Sequence, residues 1–312
     1  MAAPADATVM MPAEAGWPRF GSGTLGGVVL ALIAVPCFVT LPWSLQYYDV
    51  QRLAEGMQLG APTVSNPMGT DALARSVLWR CLLGGAISLG IGIASAAISV
   101  GIGVTWGALS GYAGGRTDAV MMRIVDVLYG LPYILLVVLL DLALKPSIHD
   151  LLVNAKLSAD VAAGAADVLT LLLAIGGISW LTMARVIRGQ VLSLRTQPFI
   201  EAARACGSGP GRIFFKHLLP NLVGPIIVYA TLTVPVAILQ ESFLSFLGIG
   251  VQLPLPSWGN LAAEGMEQIH AISQRWWLLL WPCLLLGLTL MALNFLGEAM
   301  RDRLDPHARR GN

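Results

Sequence analysis

From Cys81 to Gly115 the chain carries no charged side chain. A helix needs about 20 mainly apolar residues to cross the hydrocarbon of a bilayer. Backbone placed there must satisfy its own hydrogen bonds, which leaves a spanning helix as the fold for this stretch. Five further segments approach the same length: Thr24 to Leu45, with Pro36 inside it, Met121 to Leu144, Val168 to Ala184, Leu222 to Phe246 and Trp276 to Gly297. The Met121 to Leu144 segment is built on VLYGLPYILLVVLL and must extend both ways, because Asp126 and Asp141 flank its apolar centre. The sequence therefore predicts an all-α integral membrane protein with six transmembrane helices. Composition agrees, with 56% hydrophobic against 12% charged residues, outside the balance of soluble domains.

Counting Lys and Arg in the connections orients the bundle. With the N-terminus cytosolic, the outer side holds only Arg52, Arg75, Arg80, Lys145, Lys156 and Arg275 of the 19 cations, and the inner side the rest. The excess predicts both termini inside. The first apolar run ends in LPWSLQYY, without a small-residue cleavage site, and reads as an uncleaved span. A net charge of +1 offers no global attraction for nucleic acid. The four cysteines and four histidines are scattered without metal-ligand spacing, and the cysteines read as small core hydrophobes.

Residues 1–23 then form a cytosolic tail, 24–45 the first span, 46–80 an extracytoplasmic loop, 81–298 the core with five spans, and 299–312 a second cytosolic tail. Three outer connections are long: 46–80, 145–166, which is either a surface helix or a spacer, and 248–275, expected to fold back onto the membrane surface. The second span carries two rows of small residues at every fourth position: Gly84, Ser88, Gly92, Ala96, and Ser95, Ser99, Gly103, Gly107, Gly111. Such rows allow close helix approach, here either within the chain or against a partner subunit.

Between the fourth and fifth spans lies FIEAARACGSGPGRIFFKHLLPN. Pro198 to Cys206 suits a short helix, with Thr196 as cap and Gly207 free to take the left-handed turn that ends it. Phe199, Ala202, Ala203 and Cys206 fall on one stripe, Glu201 and Arg204 on another face. A helix this short needs a surface to lie on, which is either a groove on a partner or the inner leaflet.

These residues resemble the cytosolic signature of permease subunits of ABC importers, E-A-A-x3-G-x9-I-x-L-P: Glu201, Ala202, Ala203, Gly207, then Leu219 and Pro220, with His217 in the isoleucine place. The H-x-L-P-N ending is similar to the peptide branch. NPMGTDALARSVLWR (Asn66 to Arg80) resembles that branch's hPlGTDxlGRDvlsR, with Ala74 for glycine and Ser76 for aspartate. GYAGGRTDAVMMRIVDVLYGLP, SWLTMARVIRGQVLSL, ESFLSFLGIGVQLPLPSWG and LNFLGEAMRDRLDP also look like the C-type permease of oligopeptide and dipeptide importers. The resemblance implies the type I ABC importer permease fold in the bacterial inner membrane, with a coupling helix at about residues 198–207 bearing Phe199, Glu201, Ala202, Ala203, Arg204 and Gly207. It also implies a second homologous permease, two ATP-binding subunits that hold ATP and Mg, an extracytoplasmic solute-binding protein, and a peptide substrate. Nickel or another small solute is the alternative cargo. No GxxxxGK[ST] occurs in the 312 residues, so no cofactor or catalytic residue is expected here.

Charged groups within spans are expensive. Arg123 and Asp126, three apart, are expected to pair. Glu241 in the fifth span lines the solute path, forms a gate or bonds helices together, and Asn294 in the sixth is packing glue or a cavity group. An ion-coupled transporter would need facing ionisable residues at mid-membrane or an inverted repeat, and neither is evident.

Overall fold

The computed structural model describes residues 22–53, 56–269 and 275–304, so most of the predicted tails lies outside the described residues. Within them the protein is helical, with an isolated bridge between Thr70 and Ser76 and no strand.

Helices α1 (Ser22–Val39) and α2 (Leu41–Tyr47) form a pair bent by 61°. The first span is therefore broken, because Pro42 has no N–H to continue the ladder and its ring collides with the preceding turn. The long loop leads into α3 (Val77–Ala113).

The third predicted span is corrected more strongly. It is two helices, α4 (Gly115–Tyr129) and α5 (Tyr133–Asn154), set at 93° to one another. Pro132 holds Leu131 away from helical backbone, so the apolar run continues in sequence while the helix does not. Of the two readings of the connection 145–166, the helical one is the nearer and the spacer is corrected: α5 runs through it to Asn154, and α6 (Ala159–Leu194) begins four residues after Ala155. The Ala-rich segment reads as a spacer by hydropathy but has high helix propensity.

After α6 come α7 (Pro198–Ala205), α8 (Pro210–Ile213), a π-helical turn at Phe214–Leu218, and α9 (Leu219–Phe246), which retains Pro225 and Pro235 inside. The last long connection carries α10 (Trp258–Glu267), which packs against α9 and α11, and α11 (Trp276–Leu304) closes the bundle. Four units, α3, α6, Pro210–Phe246 and α11, are long and apolar enough to cross a membrane unbroken, and the two bent pairs bring the total to six.

Both small-residue rows pack within the chain. Along the parallel α3–α6 seam, a Cβ on Gly107 would sit 2.3 Å from the Ala184 carbonyl oxygen, and one on Gly103 2.5 Å from the Met183 Cβ. The other row faces α9 and α10: a Cβ on Gly92 would lie 2.2 Å from Ile238 Cγ1. Backbones this close leave no room for lipid or side chains, the source of packing energy where water supplies none. The cysteine expectation holds for Cys37 and Cys81, which are buried, but Cys206 and Cys283 are exposed.

Candidate functional site

Helix α7 stands at the end of the bundle where α3 and α6 meet their C-termini. It starts at Pro198, whose fixed φ suits a first turn. Thr196 is not its cap, as expected from sequence; Gln197 takes that position, and the Thr196 hydroxyl donates to the Ser193 carbonyl at 2.9 Å. The other end is as expected. Gly207 has φ +76°, its N–H donates to Arg204 O at 2.9 Å, and the Ser208 N–H donates to Ala203 O at 3.0 Å. This pair of bonds is the Schellman ending, which needs a residue tolerant of left-handed backbone.

Eight residues cannot hold a helix alone in water. The anchor is Ile200, fully buried among Ala108, Met183, Ile187, Val191, Ile213, Leu218 and Leu222, with Ala203 packed beside it. Phe199, Glu201, Ala202, Arg204, Cys206 and Gly207 are exposed. The apolar stripe expected from sequence is thus turned outward except at Ala203, and a residue outside that stripe fastens the helix.

Polar contacts fix the ground under α7. Arg188 donates to both Asp118 oxygens at 2.6 Å, and Ser110 donates to the same carboxylate at 2.5 Å, tying α6, α4 and α3 together. The Arg188 guanidinium holds its planar fork against the carboxylate, the strongest geometry for such a pair. Arg195 donates to Gly111 O at 3.1 Å, and the Tyr112 hydroxyl to Pro210 O at 2.8 Å. Asp126 does not pair with Arg123: it accepts from Arg185 at 2.8 Å, because residues on one helix compete with a better-placed partner across the interface. That same guanidinium lies 4.0 Å from the Tyr129 ring centroid.

Tyr129 leads into a groove of about 550 Å³ between the α4–α5 break, the middle of α6, and α9. Its polar lining is Tyr129, Tyr133, Ser179, Thr182, Tyr229, Thr233 and Gln240, and no charged residue lines it. At one boundary the Tyr133 hydroxyl donates to Gln240 Oε1 at 2.6 Å and lies 3.3 Å from Ser179 Oγ. Glu241 and Asn294 are not among the lining residues. Glu241 is wholly buried, with Ser242 and Ser245 hydroxyls on its carboxylate, and Asn294 is exposed on α11. The groove residues escaped sequence reasoning because each is uncharged; the available signal was a hydroxyl or amide inside an otherwise apolar span.

The opposite end carries an ion network. Asp71 accepts from Arg75 Nε and from Arg80 Nη1, each at 2.7 Å, and Arg80 reaches Glu264 on α10 at 2.5 and 2.8 Å. Arg75 also contacts Asp49 at 3.1 Å. Within this loop Ala74, at the family's glycine position, has φ +57°, and Ser76 is the N-cap residue of α3. The first departure places a Cβ in left-handed backbone, which explains the usual glycine.

The model of the family "Binding-protein-dependent transport system inner membrane component" matches residues 103–310. The chain is 43% identical over 296 residues to the dipeptide transport system permease protein DppC of Bacillus subtilis, covering 94% of this chain and 85% of that one. It is 41% identical over 285 residues to the oligopeptide transport system permease protein OppC of Haemophilus influenzae, covering 90% and 83%. It is 33% identical over 308 residues to the glutathione transport system permease protein GsiD of Pectobacterium atrosepticum, covering 96% and 93%.

Proposed function

The chain belongs to the family of inner membrane components of binding-protein-dependent transport systems, and from that premise we propose that it is the permease subunit of a peptide ABC importer. In this reading it forms half of a translocation path with a second, homologous permease, receives peptide from an extracytoplasmic binding protein, and is driven by two ATPase subunits that hold ATP and Mg. Both termini and α7 face the cytosol. Phe199, Glu201, Ala202, Ala203, Arg204 and Gly207 form the coupling surface for the ATPase.

One observation carries the reading: an exposed, properly terminated short helix, joined by short segments to two spanning helices and pinned beneath by a single buried isoleucine. Such an element moves as a unit with whatever grips its free face, and hinge-like movement of a packed element is an ordinary way to switch a bundle. The groove supports peptide over nickel, since no His, Cys, Asp or Glu lines it, and hydroxyls, an amide and tyrosine rings suit a peptide backbone with varied side chains.

The test is co-purification and uptake. Glu201→Lys and Gly207→Pro should each leave membrane insertion intact, reduce capture of the ATPase subunit and abolish peptide uptake. Normal ATPase recovery with normal uptake in both variants would falsify the coupling assignment, and labelling of residues 199–207 from the periplasmic side would overturn the orientation.

A further inference from the structure

Glu241 is a fully buried carboxylate without a cationic partner among the described residues. A bare charge at such a place would be very costly. Serine hydroxyls surround it: Ser245 donates at 2.8 Å and Ser242 at 3.1 Å, and Ser88 of α3 and Ser257, the N-cap of α10, stand nearby. Three of these oxygens accept a backbone N–H in turn: Val251 N to Ser245 at 3.1 Å, Trp258 N to Ser88 at 3.3 Å, and Asn260 N to Ser257 at 3.3 Å. The Ser245 hydroxyl is thereby left to donate to the carboxylate, and the N-terminus of α10 lies beside it.

Backbone packing at the same place is equally tight. A Cβ on Gly259 would fall 2.1 Å from Ser242 O, and one on Gly84 3.2 Å from Ser257 Cα. The α10 N-terminus is thus pressed onto α9 beside Glu241. Successive residues of a helix point about 100° apart, so while Glu241 faces α10 and α3, its neighbour Gln240 faces the groove and takes the Tyr133 hydroxyl.

We infer that Glu241 is a positioning residue: its serine-held carboxylate seats α10 on α9 and α3, and through that seat keeps Gln240 in the bond to Tyr133 that bounds the groove. It contacts no cargo. The roles of gate-lining or pathway group are therefore not needed to account for a carboxylate in this span. The uptake arm of the test rests on the peptide-permease reading; the labelling arm does not.

The experiment uses the assembled transporter in membranes, with Cys206→Ser, Cys283→Ser and Thr233→Cys in this chain, so that a maleimide reports on the groove. Glu241→Gln should raise the labelling rate at position 233 roughly tenfold, the factor that a lost hydrogen bond to a charged group corresponds to. Gln240→Ala should raise it similarly, and Glu241→Asp should restore part of the protection. In uptake, Glu241→Gln should lower Vmax with KM unchanged. Should Glu241→Gln fail to assemble, Ser245→Ala removes a single donor and is expected to raise labelling by a smaller factor. An unchanged labelling rate in Glu241→Gln, or in Ser245→Ala where that replaces it, overturns the inference, as does a raised KM with unchanged labelling, which would place Glu241 in contact with cargo. Failure of the wild-type complex to import peptides would undo the functional reading but leave the labelling comparison standing.

Discussion

The two short helices at the ends of the bundle, α10 and α7, are attached by opposite chemistries. At the α10 end, Arg80, with 1% of its side chain exposed, bridges Asp71 in the loop and Glu264 on α10. At the α7 end, a short helix is fastened by the buried Ile200 with Ala203 beside it, and its charged residues Glu201 and Arg204 are exposed. An ion network is directional and fails when one member is lost, whereas an apolar socket tolerates sliding and reorientation. The fold is thus clasped at α10 and left able to respond at α7.

The largest effect is expected of Arg80→Ala, which takes the bridging cation from between Asp71 and Glu264 and leaves Arg75 as the cation beside them. It should destabilise the detergent-solubilised protein by about 3–5 kcal/mol, the range for breaking a buried pair, seen as collapse of the monodisperse fraction on heating. Ile200→Ala should lose about 2–4 kcal/mol at the other end by opening a cavity, and there the expected signature is local: faster proteolysis or hydrogen exchange at 198–207 while α10 stays protected. Equal loss of protection at both ends would show that the ends are not independent. Between them, Gly107→Ala forces the α3–α6 seam apart and should lose about 1–3 kcal/mol by overpacking, read as a lower thermal midpoint. Gly207→Ala strains the Schellman turn by about 1 kcal/mol and should fray α7 by hydrogen exchange without moving the global midpoint. The smallest effect is a gain: Ala74→Gly relieves left-handed backbone beside the clasp and should stabilise it by about 0.5 kcal/mol, the strain relieved exceeding the added chain entropy.

Much of the bundle was legible from apolar runs because lipid permits few alternatives. The rows at Gly84 and Gly103 marked the closest helix contacts, and Gly207 marked the end of α7. The 93° break was not legible, since the apolar character of VLYGLP continues across it and only the backbone restriction before Pro132 records the turn. Arg80 and Glu264 are 184 residues apart, and no local pattern joins them. Ile200 was overlooked because a helix with two partly apolar faces does not declare which one is buried. Asp126 looked paired with Arg123 for a related reason: sequence spacing shows neighbours on one helix and hides those on the next.

The seam at Gly107 has a mechanical consequence. With a carbonyl oxygen of one helix almost against the Cα of the other, α3 and α6 behave as a splint and cannot flex separately. The 36 residues of α6 make that splint roughly 54 Å long at 1.5 Å per residue. Each degree of tilt imposed at its α7 end then carries the far tip about 1 Å sideways by the same geometry, so a slight rocking at that end suffices to shift the opposite rim by the width of an atom.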